Sequence, residues 1–171
     1  MKEISFRNDV LPLKDELYRL ALRITLNRAD AEDVVQETML RVWNRREQWS
    51  ELESIEAFCL TICRNQALDK TRRADSQNPS LEETHDRADR SYNSDPEEQA
   101  VQRDSVEQVR RLIAQLPEKQ RTCMQLRDME GKTYKEIAQV MSITEQQVKV
   151  NIFRARQTIK EKFQQIERHG L

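Results

Sequence analysis

The residues whose types and spacing point most directly to chemistry lie in the last third of the chain, from Thr144 to Ile166. Placed on a helical wheel at 100° per residue, Val148, Ile152, Ala155, Ile159 and Phe163 fall on one side, as a core-facing stripe does. The opposite side carries Gln146, Val150, Phe153, Arg154 and Gln157, flanked by Lys149 and Lys160. A phenylalanine centred on a basic, outward face needs a partner, because the core is already supplied by the other stripe. Just upstream, Thr133-Tyr-Lys-Glu136 and Thr144-Glu-Gln-Gln147 are two capping boxes in quick succession. They predict a short helix to about Met141 and a long one to about Ile166, joined by Ser142-Ile143. That is helix-turn-helix spacing, which sets the second helix in a major groove, where basic and amide side chains read base edges and apolar ones touch thymine methyls. Duplex DNA is the expected ligand.

Two weaker constellations lie earlier. Asp33, Gln36, Glu37, Leu40 and Arg41 share a helix face opposite a predicted core stripe of Val35, Met39, Val42 and Trp43. A charged face around one leucine is either simply solvated or a docking surface for a protein, and the residues alone leave both open. Thr61, Asn65 and Arg72 share an outward face, with Arg64 and Leu68 close by and Trp49 in the preceding loop. Unstacked bases use such groups, a ring for stacking and polar tips for base edges, although an ordinary polar surface looks the same. Catalytic and metal chemistry find no footing. The two histidines, His85 and His169, lie in a polar connecting stretch and at the far end. Cys59 and Cys63, four apart, have no second ligand pair and read as core. The carboxylates sit on amphipathic surfaces without an apolar pocket to raise a pKa.

The elements that position these residues are helices. Only 2 of 171 residues are glycine, too few for hairpin turns or phosphate-cradling loops, so nucleotide-binding α/β folds are out. No apolar run approaches the ~20 residues of a membrane span, and the N-terminus has no signal-peptide core. Three cysteines at no disulfide-like spacing fit a reducing, cytoplasmic setting. Charge divides the chain. Residues 1–73 hold 13 basic and 13 acidic side chains, 74–100 hold 2 and 8, and 101–171 hold 14 and 9. The basic last block expects an anionic partner. The acidic strip has almost no large apolar side chains beyond Leu81 and Tyr92, and reads as a flexible linker. The expected architecture is all-α, with two small helical domains over 8–74 and 105–168 joined by an acidic linker over 75–104. In the first, Leu13, Leu17, Leu20 and Ile24 make one stripe. Asp30 is the expected cap of a second helix, and Asn44 to Glu53 is expected to be loop. A third helix spans about Ser54 to Arg73, with Ile55, Phe58, Cys59 and Ile62 inward. The second domain opens with Val106, Val109 and Ile113 inward; Pro117 then starts a helix that ends at Gly131.

The run from Asp30 to Trp43 resembles region 2 of bacterial RNA polymerase sigma factors of the extracytoplasmic-function (ECF) group, and Phe58 to Arg73 resembles the end of that region. Leu116-Pro-Glu-Lys-Gln-Arg, Tyr134-Lys-Glu-Ile-Ala and Val148 to Arg156 are similar to region 4. The three motifs stand in the family's order and cover most of the chain. The resemblance implies a sigma factor without catalytic residues, metal or cofactor, whose partners are core RNA polymerase and promoter DNA. It implies that Asp33, Gln36, Glu37, Leu40 and Arg41 dock on the clamp helices of the polymerase's largest subunit. It assigns Trp49, Ser50, Glu51, Leu52, Glu53 and Asn65, beside Thr61 and Arg72, to single-stranded −10 DNA with a flipped base. Gln146, Lys149, Val150, Phe153 and Arg154 would read the −35 element as duplex, and the linker would run in the RNA-exit region. The resemblance also implies an anti-sigma factor as a partner common in the family. Two departures stand out: Ser142 where the turn commonly has Gly, and Val150-Asn151 where Ser-Arg is frequent. A dimeric helix-turn-helix regulator is the rival reading.

Overall fold

The computed structural model describes residues 3–77 and 100–169, with side chains over 3–74 and 104–168. Residues 78–99 of the acidic strip, His85 among them, therefore lie outside the described residues, as does the His169 side chain. Every regular element among the described residues is helical. In the first half, α1 (Lys14–Thr25), α2 (Arg28–Asn44) and α3 (Ile55–Gln77) pack on one another. A short 3₁₀ turn over Arg46–Glu51 links α2 to α3, and two short turns over Phe6–Leu13 precede α1. The second half holds α4 (Ala100–Gln115), α5 (Glu118–Met124) continued by a π turn over Gln125–Met129, α6 (Tyr134–Met141) and α7 (Glu145–His169).

Local chemistry accounts for most boundaries. The α2 helix is capped by Asn27, whose side chain accepts from the Asp30 amide at 3.0 Å, three residues before the expected start. Asp30 itself sits in the first turn, where its charge suits the helix dipole. Leu26 bridges α1 to that cap in the left-handed region at φ 56°. Ser54 Oγ accepts from the Ala57 amide at 3.1 Å at the head of α3. Pro117 stands one position before α5, as the cap residue rather than the first helical one. Gly131, at φ +69°, ends the segment that α5 begins, a conformation that costs glycine nothing. Both α3 and α4 reach into the stretch expected to be linker, to Gln77 and from Ala100.

The core of the first half is Leu17, Leu20, Ile24, Val34, Val35, Val42, Leu60, Ile62 and both cysteines, 59 and 63. Two side chains expected inward stand out instead. Trp43 is 44% exposed, because the α2 stripe centres on Val34, Val35, Thr38 and Val42. Val106 is exposed as well, while Leu112 and Leu116 are the buried leucines of α4 and its end. Leu126, Ile137, Val140, Met141, Val148 and Ile152 line the second half, and they belong to one buried cluster with Leu17, Leu60 and Ala67. The two halves thus pack against each other, α1 on α5 and α3 on α6.

Candidate nucleic-acid interface

The helix-turn-helix is α6, a three-residue turn and α7. Thr133 and Glu136 form a reciprocal box: Thr133 Oγ1 accepts from the Glu136 amide at 3.1 Å, and Glu136 Oε1 accepts from the Thr133 amide. Thr144 and Gln147 repeat it, with bonds of 3.1 and 2.9 Å. Between them Ser142 takes φ 56° and ψ 44°, the left-handed backbone that glycine supplies at no steric cost. The Ile143 amide closes the turn on the Ala138 carbonyl at 3.1 Å. With Ile137, Val140 and Met141 buried under α6 and Val148, Ile152 and Ala155 under α7, the second helix can present only one face.

That face carries Gln146, Lys149, Phe153 and Arg154, all exposed, with Val150 half-buried beside them. Phe153 is 68% exposed, the most open of the large apolar side chains among the described residues. The sequence pattern did not reveal what lies beside Lys149. Its ammonium stands 5.3 Å from the centre of the Tyr134 ring, and the Arg127 guanidinium lies 4.3 Å from the same ring. Arg127 Nη1 also donates to the Lys132 carbonyl at 2.8 Å. Two cations are thereby gathered at the entry to α6, in reach of cation–π attraction. Arg156 forks onto Asp128, and that bonding raises its pKa and ties α7 to the turn before Gly131.

On α2, Asp33, Gln36, Glu37, Leu40 and Arg41 form one exposed face. Arg41 Nε bonds Glu37 at 3.0 Å, and Lys70 from α3 reaches Asp33 at 3.2 Å. Leu40, 58% exposed, stands between these pairs. Trp43, one turn further, extends the apolar strip, with the Arg46 guanidinium 4.5 Å above its ring. The 3.6-residue period sets Trp43 beside the half-buried Met39 as readily as beside the exposed Leu40, and its aromatic mass favours the inward choice that the fold does not make.

The base-capture group is only partly brought together. Ser50, Glu51, Glu53, Asn65 and Arg72 are exposed and Leu52 is half-buried. The half-buried Thr61 spends its hydroxyl on the Ala57 carbonyl at 2.7 Å. Trp49 is the correction. It is only 7% exposed, its Nε1 donates to the Val42 carbonyl at 3.1 Å, and its ring lies 6.2 Å from Trp43 and 6.5 Å from Phe6. An indole N–H needs a buried acceptor, and the carbonyl at the end of α2 supplies one, so the ring staples the turn and offers no free face to a base.

Nucleophilic chemistry is absent from the thiols. Cys59, Cys63 and Cys123 are buried and free, and burial pushes each thiol up to about 12. Among the described residues no group of histidine, cysteine and carboxylate side chains could hold a metal ion.

Known proteins carry the same two groups of helices. The family model for sigma-70 region 2 matches residues 10–77, and that for sigma-70 region 4 matches 106–159. The chain is 32% identical over 150 residues to the ECF RNA polymerase sigma factor SigE of Mycolicibacterium smegmatis, covering 86% of this chain and 57% of that protein. It is 33% identical over 134 residues to the ECF sigma factor SigL of Mycobacterium tuberculosis, covering 78% and 74%. The RNA polymerase sigma-H factor of Pseudomonas aeruginosa matches at 29% over 170 residues, covering 94% and 87%. In structure the chain resembles the sigma factor RpoE of Bartonella quintana, solved in complex with the anti-sigma factor NepR, at a TM-score of 0.73 and 19% identity over 91% of this chain and 94% of that one. Region 2 in the first half and region 4 with its helix-turn-helix in the second, in that order, place the chain in the sigma-70 family of RNA polymerase sigma factors, within the ECF group.

Proposed function

We propose that this chain acts in the bacterial cytoplasm as a non-catalytic initiation factor: it binds core RNA polymerase, carries it to promoters and helps open them. The observation that carries the reading is the α7 face, where an exposed Phe153 is ringed by Gln146, Lys149 and Arg154 on a helix whose other side is fully committed to the core. These residues and Val150 read the −35 duplex. Asp33, Gln36, Glu37, Leu40 and Arg41, extended by Trp43, dock on the polymerase. Ser50, Glu51, Leu52, Glu53, Thr61, Asn65 and Arg72 line the path of the −10 single strand, while Trp49 shapes the turn that holds them. The domain limits that serve this division are the region 2 half through Gln77 and the region 4 half from Ala100. An anti-sigma factor fits as a regulator, as the Bartonella relative is bound by one.

The test is in vitro transcription with purified core polymerase on fragmented genomic DNA, with sequencing of the 5′ ends. Discrete starts that share two upstream elements, and are absent with core alone, are expected. No such starts, together with failure to co-elute with core, would overturn the proposal and leave a dimeric helix-turn-helix regulator, with its palindromic site, in its place.

A further inference from the structure

The outward row of α7 has an apolar centre. At 3.6 residues per turn Gln146, Val150, Phe153 and Gln157 fall within about 60° of arc, with Lys149 and Arg154 about 70° to either side of its middle. Several polar groups around the row are spent on the helix itself. Gln157 Nε2 donates to Glu161 at 3.0 Å, and Asn151 Nδ2 donates to the Gln147 carbonyl at 2.8 Å. Gln147 Oε1 in turn accepts from the Thr144 amide at 2.9 Å. The Lys149 ammonium is drawn to the side, 5.3 Å from the centre of the Tyr134 ring. What remains at the centre is the half-buried Val150 with its two methyls and the Phe153 ring, which is 68% exposed.

This pair is stiff and well spaced. A β-branched valine keeps one strongly preferred rotamer in a helix, and a phenyl group turns about only two bonds. The two residues are three positions apart, ~4.5 Å along the helix axis, close to the ~3.4 Å between successive base pairs. To such a ridge the major groove offers a single apolar group, the C5-methyl of thymine; the other base edges present donors and acceptors. An amine or carbonyl pressed against Val150 or Phe153 loses its water and gains no partner, which is costly for a polar group. Serine, frequent at the place of Val150 in the family, could pair with those polar edges instead. Valine cannot.

We infer that Val150 and Phe153 form a methyl-reading ridge, which makes thymine at two neighbouring base pairs the specificity determinant of the −35 element. The inference rests on the promoter reading given above and names the bases that reading leaves open. A contact between methyl and side chain carries no charge. Its discrimination therefore persists at salt concentrations that weaken the binding as a whole.

The experiment uses the full chain with core polymerase on a promoter fragment recovered by the transcription experiment, and it changes the DNA before the protein. Thymines on either strand of the −35 element are replaced one at a time by deoxyuridine, which keeps the hydrogen-bonding groups and removes only the methyl. The expected result is two neighbouring pairs at which replacement raises the concentration for half-maximal transcription about fourfold, equally at low and high salt. Val150→Ser should be indifferent to replacement at one pair, Phe153→Ala at the other, and Val150→Ile should keep the response. The first comparison uses one unmodified protein on two templates, so it stands whatever a substitution does to folding; circular dichroism checks the variants. An element without thymine at neighbouring pairs overturns the ridge, as do replacements without effect. A response that persists in both variants overturns it too, because the methyls then act through duplex shape. If the chain yields no promoter-specific starts, the promoter reading has failed. Selection of random duplexes by the full chain, from libraries built with thymidine or with deoxyuridine, then decides the ridge. A motif enriched from the thymidine library alone upholds it, and the same outcome from both libraries overturns it.

Discussion

Phe153 isolates the question of recognition at one side chain. At 68% exposure it adds almost nothing to its own fold, so Phe153→Ala should leave the melting temperature unchanged. Promoter-dependent transcription should fall by about tenfold, because a good base contact is worth ~1–3 kcal/mol. A drop in melting temperature instead would return the ring to the core. Lys149→Ala removes one cation from the face proposed to meet duplex DNA, so it should weaken binding and reduce the salt slope by about 0.9. Leu40 poses the same test for docking, and Leu40→Asp should abolish co-elution with core while circular dichroism stays unchanged. The thiols answer in the opposite sense. With Cys59, Cys63 and Cys123 pushed up to about 12 by burial, no thiolate forms at neutral pH, so native protein at pH 8 should resist alkylation that the unfolded chain accepts. The folded state keeps its thiol protons above pH 9, where unfolded thiols lose theirs, so this contribution to stability is complete below pH 9 and declines towards pH 12.

At the scale of elements, the signals legible in the sequence are those with a local cause. Thr133–Glu136 and Thr144–Gln147 are boxes whose partners lie three residues apart, and both form. The departure at Ser142 points to an unusual backbone angle, and φ is 56°. Ser142→Gly should therefore raise stability by ~1 kcal/mol, the usual penalty of a left-handed non-glycine residue, and Thr133→Ala should lower it by ~1 kcal/mol as the cap disappears. Thermal melts check both. Single-helix patterns fail where competing partners decide the outcome. Asp30 has the chemistry of a cap, yet Asn27, three residues earlier, takes the Asp30 amide. Trp49 and Trp43 exchange their expected roles because a carbonyl at the end of α2 accepts the Trp49 indole. The Tyr134 ring under Lys149 and the ion pairs between Arg19 and Glu130 depend on segments 15 and 111 residues apart. Periodicity within one helix carries no information about such pairs.

For the whole molecule, the decisive quantity is how little the chain can do to DNA alone. Residues 101–171 carry 14 basic and 9 acidic side chains, enough to neutralise a handful of phosphates and to make any binding steeply salt-dependent. Melting needs more. Each base-pair step opened costs about 1.4 kcal/mol of stacking, and each base stacked on a ring returns ~1–3 kcal/mol. With Trp49 buried, Trp43 is the one tryptophan of the first half with an open ring, and it already carries the Arg46 guanidinium. One ring cannot offset the opening of several pairs, so the polymerase must supply the remainder, and the factor's share is the choice of site. Permanganate probing of a promoter fragment should accordingly find no reactive thymines with the chain alone, at any concentration that saturates the DNA. With core polymerase added, reactivity should appear over the −10 region and vanish in Leu40→Asp, which alters the proposed docking face and leaves the proposed DNA-contacting faces in place. Reactive thymines with the chain alone would mean that melting energy resides in residues 3–77 themselves, and would overturn the division of labour between factor and polymerase.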